Sequence, residues 1–168
     1  MRIIGIDPGL QRTGWGIIDI AGNKLTHISH GVVATSIATP TAERLKEIFD
    51  GLTQMITLWQ PDEAAIEETF VNKNPASSLK LGLARGAAML APSKSGLSVA
   101  EYPANLVKKS VVGAGHAEKE QVQAMIKVLL PGVEASSDAA DALAVAICHA
   151  HHRMSAIRTG AMIAGGAG

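Results

Sequence analysis

An apolar, β-branched run near the start of the chain ends on an acidic residue. Residues 3–6 are typical of a central strand, and Asp7 follows them directly, before a Pro-Gly pair. Two segments of alternating polarity, 12–20 and 24–35, come next and are separated by a short Ala-Gly-Asn turn. The pattern predicts three strands that form an antiparallel meander.

From residue 40 onward, helical and strand-like patterns alternate. Apolar residues recur at helical spacing in five segments, and two shorter apolar segments between them are strand-like. The predicted helices are 40–60, 75–92, 103–113, 116–130 and 137–152, and the predicted strands are 63–70 and 97–102. A meander followed by βαβ units implies an α/β fold, with a five-stranded mixed sheet and helices on both faces.

The composition indicates one globular domain with an aliphatic core. Of the 168 residues, 47% are hydrophobic and 3% are aromatic. We assign residues 1–154 to a single domain and expect the Gly- and Ala-rich tail, 155–168, to be disordered. No apolar run reaches the ~18 residues of a membrane span, and Met1 is followed at once by a strand. We therefore expect no membrane association, no signal peptide and a cytoplasmic protein.

Charge is unevenly distributed along a chain whose net charge is zero. The total argues against the usual strongly basic nucleic-acid binder. Residues 69–117, however, contain six basic residues and one acidic residue, so this window carries +5 and the rest of the chain carries −5. Chance segregation of surface charge is one explanation. The other is a protein that grips a polyanion while metal ions neutralise its acidic residues.

Four carboxylates are candidates for one acidic cluster. Asp7 and Glu67 each end an apolar strand, and Glu68 is expected to point to the opposite face because side chains alternate along a strand. Asp138 and Asp141 are three residues apart at the start of the last predicted helix, so they share one face. Aspartate is also favoured in a first helical turn by capping and by the helix dipole, which is the structural explanation for either residue alone.

If these carboxylates converge, they cannot all ionise in a dry site without cations. A set of oxygen ligands selects Mg²⁺ or Mn²⁺ rather than zinc. Two such ions about 3.5–4 Å apart can activate a water and stabilise the leaving oxygen in phosphodiester hydrolysis. The basic middle of the chain would then hold the phosphate backbone.

Other motifs are weaker. The Gly-Ala-Gly sequence at 113–115 lacks the third glycine of a dinucleotide loop, because Glu118 occupies that position. His149 and His152 share a helical face, but no HExxH spacing or cysteine pair supports a zinc site, so a solvated helix end is favoured. Cys148 is interpreted as a packed thiol.

Four segments match a known family in order and in spacing. They are IGIDPGLQRTGWG, PDEAAIEETFVNKNPASSLKLGLARGAAM, ANLVKKSVVGAGHAEKEQV and DAADALAVAICHAH. Over nearly its whole length the chain resembles the RuvC family of crossover junction endodeoxyribonucleases, which are bacterial Holliday-junction resolvases of the ribonuclease H-like superfamily.

The resemblance implies that the chain nicks two strands of like polarity at a four-way DNA junction and leaves 5′-phosphate and 3′-hydroxyl ends. It implies that Asp7, Glu67, Asp138 and Asp141 are catalytic and bind Mg²⁺, with two ions per site and Mn²⁺ as a substitute. It further implies a homodimer, whose twofold symmetry suits a symmetric junction, and partnership with the RuvA and RuvB branch-migration proteins.

The resemblance also assigns roles to basic and aromatic residues. Lys108 and Lys119 fall where the family has basic residues important for cleavage, and Phe70 falls where it has an aromatic residue thought to contact unpaired junction bases. A strand-end core residue is the structural explanation for Phe70. Further phosphate contacts are expected from charge and placement at Lys73, Lys80, Arg85 and Lys109.

Two other function classes compete with a junction nuclease. An actin- or chaperone-like ATPase also places Asp and Gly after a strand, but such enzymes repeat the fold in two lobes and this chain has length for one. A non-catalytic DNA-binding relative predicts a damaged acidic set, whereas all four positions are acidic here.

Overall fold

A central strand with one antiparallel and one parallel neighbour organises the fold. The computed structural model of the chain describes residues 1–68 and 74–165, with side chains up to residue 156. The elements are β1 (Arg2–Asp7), β2 (Arg12–Ala21), β3 (Lys24–Ala34), α1 (Thr41–Trp59), β4 (Glu63–Glu68), α2 (Pro75–Lys94), β5 (Val99–Pro103), α3 (Ala104–Val112), α4 (Lys119–Leu129) and α5 (Ser137–Gly165).

The strands form one sheet in the order β3-β2-β1-β4-β5. β1 to β3 are antiparallel and make the predicted meander, while β4 and β5 extend the sheet in parallel with β1. Because β1 lies at the centre, Ile3, Ile4 and Ile6 are completely buried. The predicted five-stranded mixed sheet is confirmed.

Alternation along the strands divides the apolar side chains between two cores. Ile4, Ile6 and Ile66 pack with α1 and α2 on one face. Ile3 and Ala65 pack with α3, α4 and α5 on the other face. The prediction of helices on both faces is therefore confirmed.

Two helix ends differ from the predicted ones for local reasons. α2 continues through Pro92 to Lys94, because a proline in the last turn removes only one hydrogen bond and Gly96, with a φ of +82°, then ends the helix. α4 begins at Lys119 rather than at residue 116, because Glu118 and Gln121 form a capping box at its start.

The last helix also extends further than the pattern predicts. α5 continues past residue 152 and ends at Gly165, across the position where we expected a disordered tail to begin. This segment has no proline, and its alanine and methionine residues are good helix formers, so the helical backbone can continue there. The division into a domain of 1–154 and a tail of 155–168 stays a prediction. In the part of the chain that the structure describes, no helix is long and apolar enough to cross a membrane.

Glycines in β1 and β2 allow α5 to approach the sheet closely. Gly5 and Gly16 are paired across the two strands, and Gly14 lies opposite Asp7. A Cβ at Gly14 would overlap the carbonyl oxygen of Asp138, and a Cβ at Gly5 would overlap that of Ala142. The helix backbone therefore rests directly on the strand backbone, which places the first turn of α5 beside the end of β1.

A polar cluster anchors α5 near its middle. His149 contacts Glu63 on β4 through Nε2 at 2.8 Å and the hydroxyl of Tyr102 on β5 through Nδ1 at 2.8 Å. Arg153 donates a hydrogen bond to the same carboxylate, and His152 stacks on the Tyr102 ring. The solvated helix end that we expected at His149 and His152 is therefore wrong for His149, whose side chain is 11% exposed. Cys148 is buried, as expected of a packed thiol.

The close approach at Gly14 predicts that a single added methyl group there destabilises the protein, whereas the same change at an open position does not. Gly14→Ala should lower the free energy of unfolding by about 2 kcal/mol, because the backbone of Asp138 has to move to admit the Cβ. Urea unfolding of the metal-free protein measures the change.

Gly82→Ala in α2 is the matched control, because nothing lies within 4 Å of a Cβ built there. This variant should be neutral or more stable by about 0.5–1 kcal/mol, since alanine is the better helix former. Equal stability losses in the two variants would contradict the packing argument.

Candidate active site

Asp7 and Glu67 lie next to each other at the carboxyl ends of adjacent parallel strands. Ile6 is paired with Ile66, so the residues that follow them end β1 and β4 at the same edge of the sheet. Both acids follow the alternation of the residues that face α5. Glu68 accordingly lies on the α1 and α2 side, as the sequence predicts.

The first turn of α5 brings the second pair of carboxylates to this edge. Gly14 pairs with Asp7 and underlies the backbone of Asp138, so the start of the helix lies above the end of β1. Asp138 and Asp141 both raise the pKa of Asp7 through their negative charges. The four carboxylates named from the sequence are therefore electrostatic neighbours.

Burial and mutual repulsion make two of these acids hard to ionise. Burial, together with the negative charges of its three acidic neighbours, raises the pKa of Asp7 to about 8, against the opposing effect of Lys119. Burial and the charge of Asp141 raise the pKa of Glu67 to about 7, against the opposing effect of Lys108 and Lys119. Cations in this cluster would favour the charged forms, because they remove the repulsion.

The two aspartates of α5 already have protein cations as partners. Arg12 donates its Nε–H to Asp138 Oδ2 at 2.7 Å, and Lys119 donates from Nζ to Asp141 Oδ2 at 2.8 Å. The hydrogen bond to Asp141 also raises the pKa of Lys119. Across residues 1–68 and 74–165, no three Asp, Glu, His or Cys side chains form a ready-made metal site. The acidic donors nevertheless fit hard divalent cations, because they offer only oxygen atoms and repel one another without a cation.

A cavity of about 300 Å³ opens beside the carboxylates. Glu67 and Asp141 line it together with Lys108 from α3 and Lys119 from α4. Val107 and Val122 form part of its apolar wall. The cavity thus combines acidic and basic side chains in one concave site, which suits a phosphate group held near bound cations.

The remaining predicted phosphate contacts are more scattered. Lys80 on α2 and Lys109 on α3 are exposed. Arg85 pairs with Glu101 and donates its Nε–H to the carbonyl oxygen of Glu67 at 3.4 Å, so its guanidinium supports the end of β4. Its assignment to DNA stays a prediction. Phe70 and Lys73 lie outside the described residues.

Arg12 was not identified from the sequence as a residue of the site. This residue is 126 positions from its partner Asp138, and a lone arginine next to a threonine in an alternating strand carries no periodic signal. The only usable sign is its position just after the loop that follows Asp7. Arg44 was also missed, because it lies within a helical pattern that explains it as a surface residue.

Comparison with known proteins gives one family. The family model described as crossover junction endodeoxyribonuclease RuvC matches residues 3–149. A relative of that name from Paramagnetospirillum magneticum is 62% identical over 154 residues, which cover 91% of this chain and 93% of the relative. A second, from Maricaulis maris, is 60% identical over 153 residues, covering 91% of this chain and 92% of the relative.

Solved structures agree with the sequence matches. A structure described as T. thermophilus RuvC in complex with Holliday junction substrate has a TM-score of 0.87 and 33% identity, covering 93% of this chain and 96% of that one. The yeast mitochondrial Holliday junction resolvase Ydc2 has a TM-score of 0.62 at 13% identity, covering 87% of this chain and 76% of that one, which shows a shared fold. The five-stranded mixed sheet is thus of the ribonuclease H-like type that the sequence predicts. By its family model, its relatives and its fold, the chain belongs to the RuvC family of crossover junction endodeoxyribonucleases.

Proposed function

We propose that this protein resolves four-way DNA junctions by paired symmetric nicks, through metal-dependent phosphodiester hydrolysis that leaves 5′-phosphate and 3′-hydroxyl ends. RuvC proteins are metal-dependent nucleases, and this chain belongs to them. The observation that carries the proposal is the cluster of acids at the ends of β1 and β4, bordered by a cavity with Lys108 and Lys119.

Asp7, Glu67, Asp138 and Asp141 would hold two Mg²⁺ ions, with Mn²⁺ as a substitute. When bound, such ions supply activation of the attacking water and stabilisation of the leaving oxygen. The protein contributes the fixed placement of the acids, since two are on strand ends and two are on a helix that rests on glycine.

Lys108 and Lys119 would hold the scissile or a neighbouring phosphate. Both line the cavity and both act electrostatically on Glu67. Their positive charges attract the phosphate to the acids, which alone would repel it. Lys109, Lys80, Lys73 and Arg85 are proposed as outer phosphate contacts, and Phe70 as a residue that contacts unpaired bases at the junction.

We propose that the active form is a homodimer, in which each protomer presents one site to one strand. An unpartnered apolar stripe on α2 supports this, because Leu79, Leu83 and Leu90 are 68%, 43% and 55% exposed. Gly86 continues the same face, with no neighbour within 4 Å of a Cβ built there. These positions repeat at helical spacing, which suits packing against a second copy of the helix.

The family resemblance supports three further assignments. RuvA and RuvB are proposed as the branch-migration partners of this protein, and the cytoplasm is proposed as its location. Residues 1–154 are proposed as the single nuclease domain.

Substitution of Asp7 should separate catalysis from binding. Asp7→Asn should lower the rate of junction cleavage in Mg²⁺ by at least about 100-fold, because it removes a charged oxygen that holds the cations. Junction affinity should stay within about threefold, because the basic contacts are intact. Product analysis on denaturing gels and a binding titration measure the two effects on the same synthetic junction.

Asp50→Asn on α1 is the control, since Asp50 is an exposed partner of Lys46 far from the cluster in the chain. It should cleave at the normal rate. Wild-type binding without cleavage in Mg²⁺ or Mn²⁺ would contradict the proposed function, and full activity in Asp7→Asn would contradict the site.

The raised pKa of Asp7 predicts how metal-free stability depends on pH. Burial and like charge raise this pKa from 3.8 to about 8 in the folded protein, so the folded state keeps a proton that the unfolded state releases between these values. Stability therefore falls as pH rises through this window. Asp7→Asn should remove the effect and be more stable than wild type by on the order of 5 kcal/mol at pH 8, with little difference at pH 4.

Thermal unfolding with a chelator measures this difference, and Asp50→Asn again serves as the control. Addition of Mg²⁺ should raise the melting temperature of wild type and leave that of Asp7→Asn nearly unchanged. A variant that is less stable than wild type at pH 8 would contradict the electrostatic argument.

A charge on the α2 stripe should weaken the dimer. Leu83→Glu should raise the dimer dissociation constant by at least about 100-fold, because two like charges would be buried at the symmetry axis. Sedimentation measures the association. Leu58→Glu on α1 is the matched control, because Leu58 is also an exposed leucine, at 64% exposure. Equal dissociation constants for the two variants would place the interface elsewhere.

A further inference from the structure

A second cleft, of about 580 Å³, lies on the other side of the first turn of α5. It is lined by the loop after β1, by the loop before α1 and by the first turns of α2. Its charged lining residues are Arg12, Arg44, Lys80 and Asp138. Three basic residues face a single acid, and Arg12 already neutralises that acid. The cleft therefore favours an anion.

Arg44 is the unusual member of this lining. Its side chain is only 8% exposed, although it carries a permanent charge. Its Nε–H donates to Thr35 Oγ1 at 2.9 Å, and Thr35 in turn donates to the carbonyl oxygen of Leu10. Its Nη2 atom is shielded from solvent and has no hydrogen-bond partner among the described residues.

A buried charged donor without a partner is costly, because burial removes the water that would otherwise bind it. An anion in the cleft would supply the counter-charge that the buried Arg44 guanidinium lacks among the described residues. The exposed amine of Lys80 can reach such an anion from the side of α2, where Ser77 adds a hydroxyl to the lining. The uncompensated charge of Arg44 and the excess of basic residues in the cleft lining both favour an anionic ligand.

The two cavities are separated by one helical turn. Asp141 lines the cavity with Lys108 and Lys119, whereas Asp138 lines the cleft with Arg12 and Arg44. Basic residues thus lie on both sides of the carboxylates. A strand whose cleaved phosphate is held at the acids would have a neighbouring phosphate on each side.

We propose that this cleft binds a backbone phosphate of the cleaved DNA strand, on the side of the scissile bond away from Lys108 and Lys119. Arg44 is its buried anchor, Lys80 is its outer contact, and Arg12 links it to Asp138. The inference rests on the proposed function, since it takes the DNA strand as the ligand.

A protein–DNA mutant cycle tests the assignment. Wild type and Lys80→Gln are titrated in chelator with synthetic four-way junctions, each carrying one neutral methylphosphonate near the cleavage site. Lys80→Gln should bind the unmodified junction about five- to tenfold more weakly. A methylphosphonate at one position should weaken junction binding by wild type by a similar factor. The same methylphosphonate should not further weaken binding by Lys80→Gln, because the contact that it removes is already lost.

Arg44→Gln should show the same loss at the same phosphate. If this buried substitution prevents folding, Lys80→Gln alone decides the outcome, because Lys80 is exposed. Lys46→Gln is the matched control, since Lys46 is an exposed lysine on α1 outside the cleft, and every methylphosphonate should keep its full effect there.

Three results would overturn the inference. The first is that every methylphosphonate weakens DNA binding by Lys80→Gln as much as it weakens binding by wild type, while wild type still cleaves the junction in Mg²⁺. The proposed function would then hold without this inference. The second is a pair of observations: inorganic phosphate stabilises wild type but not Lys80→Gln against unfolding, and no methylphosphonate loses its effect on DNA binding in Lys80→Gln. That result would assign the cleft to a free anion. The third is failure of wild type to cleave the junction, which would remove the proposed function and this inference together.

Discussion

The contact between the backbone of α5 and the glycines of the central strands determines the rest of the site. Gly14 lies opposite Asp7 in the sheet and beneath the carbonyl group of Asp138, so one missing side chain lets residues from the two ends of the chain meet. A larger residue would lift the helix and separate its acids from those of the strands. The electrostatics of the cluster therefore depend on a steric condition, satisfied by residues that carry no charge.

The acidic cluster is held in a state of unfavourable charge that the surrounding protein only partly relieves. Asp7 and Glu67 lose solvation through burial, while Arg12 and Lys119 each compensate one aspartate of the helix. Such a site gains from a bound cation more than a solvated cluster would, because less of the repulsion is screened by water. The packing of the fold holds the acids in place against their mutual repulsion. That repulsion is the usual energetic cost of a preorganised polar site.

The order and type of the elements could be predicted from hydrophobic periodicity, because strong patterns of period two and 3.6 reflect which faces are buried. Alternation favoured Glu67 over Glu68 only weakly, and the family resemblance supplied the assignment of Glu67. Long-range side-chain pairing could not be predicted. The pair of Arg12 with Asp138 joins residues 126 positions apart, and the burial of Arg44 depends on a cleft formed by three separate segments. Helix ends were misplaced where capping, rather than periodicity, sets the boundary.

α5 is fixed to the sheet at two points that lie far apart along the helix. Asp138 rests on glycine in the first turn, while His149 and Arg153 hold Glu63 near the middle of the helix. At 1.5 Å per residue, about 22 Å of rigid helix separates Asp138 from Arg153. The orientation of the helix that carries Asp138 and Asp141 is therefore set by contacts at two separate points of the sheet.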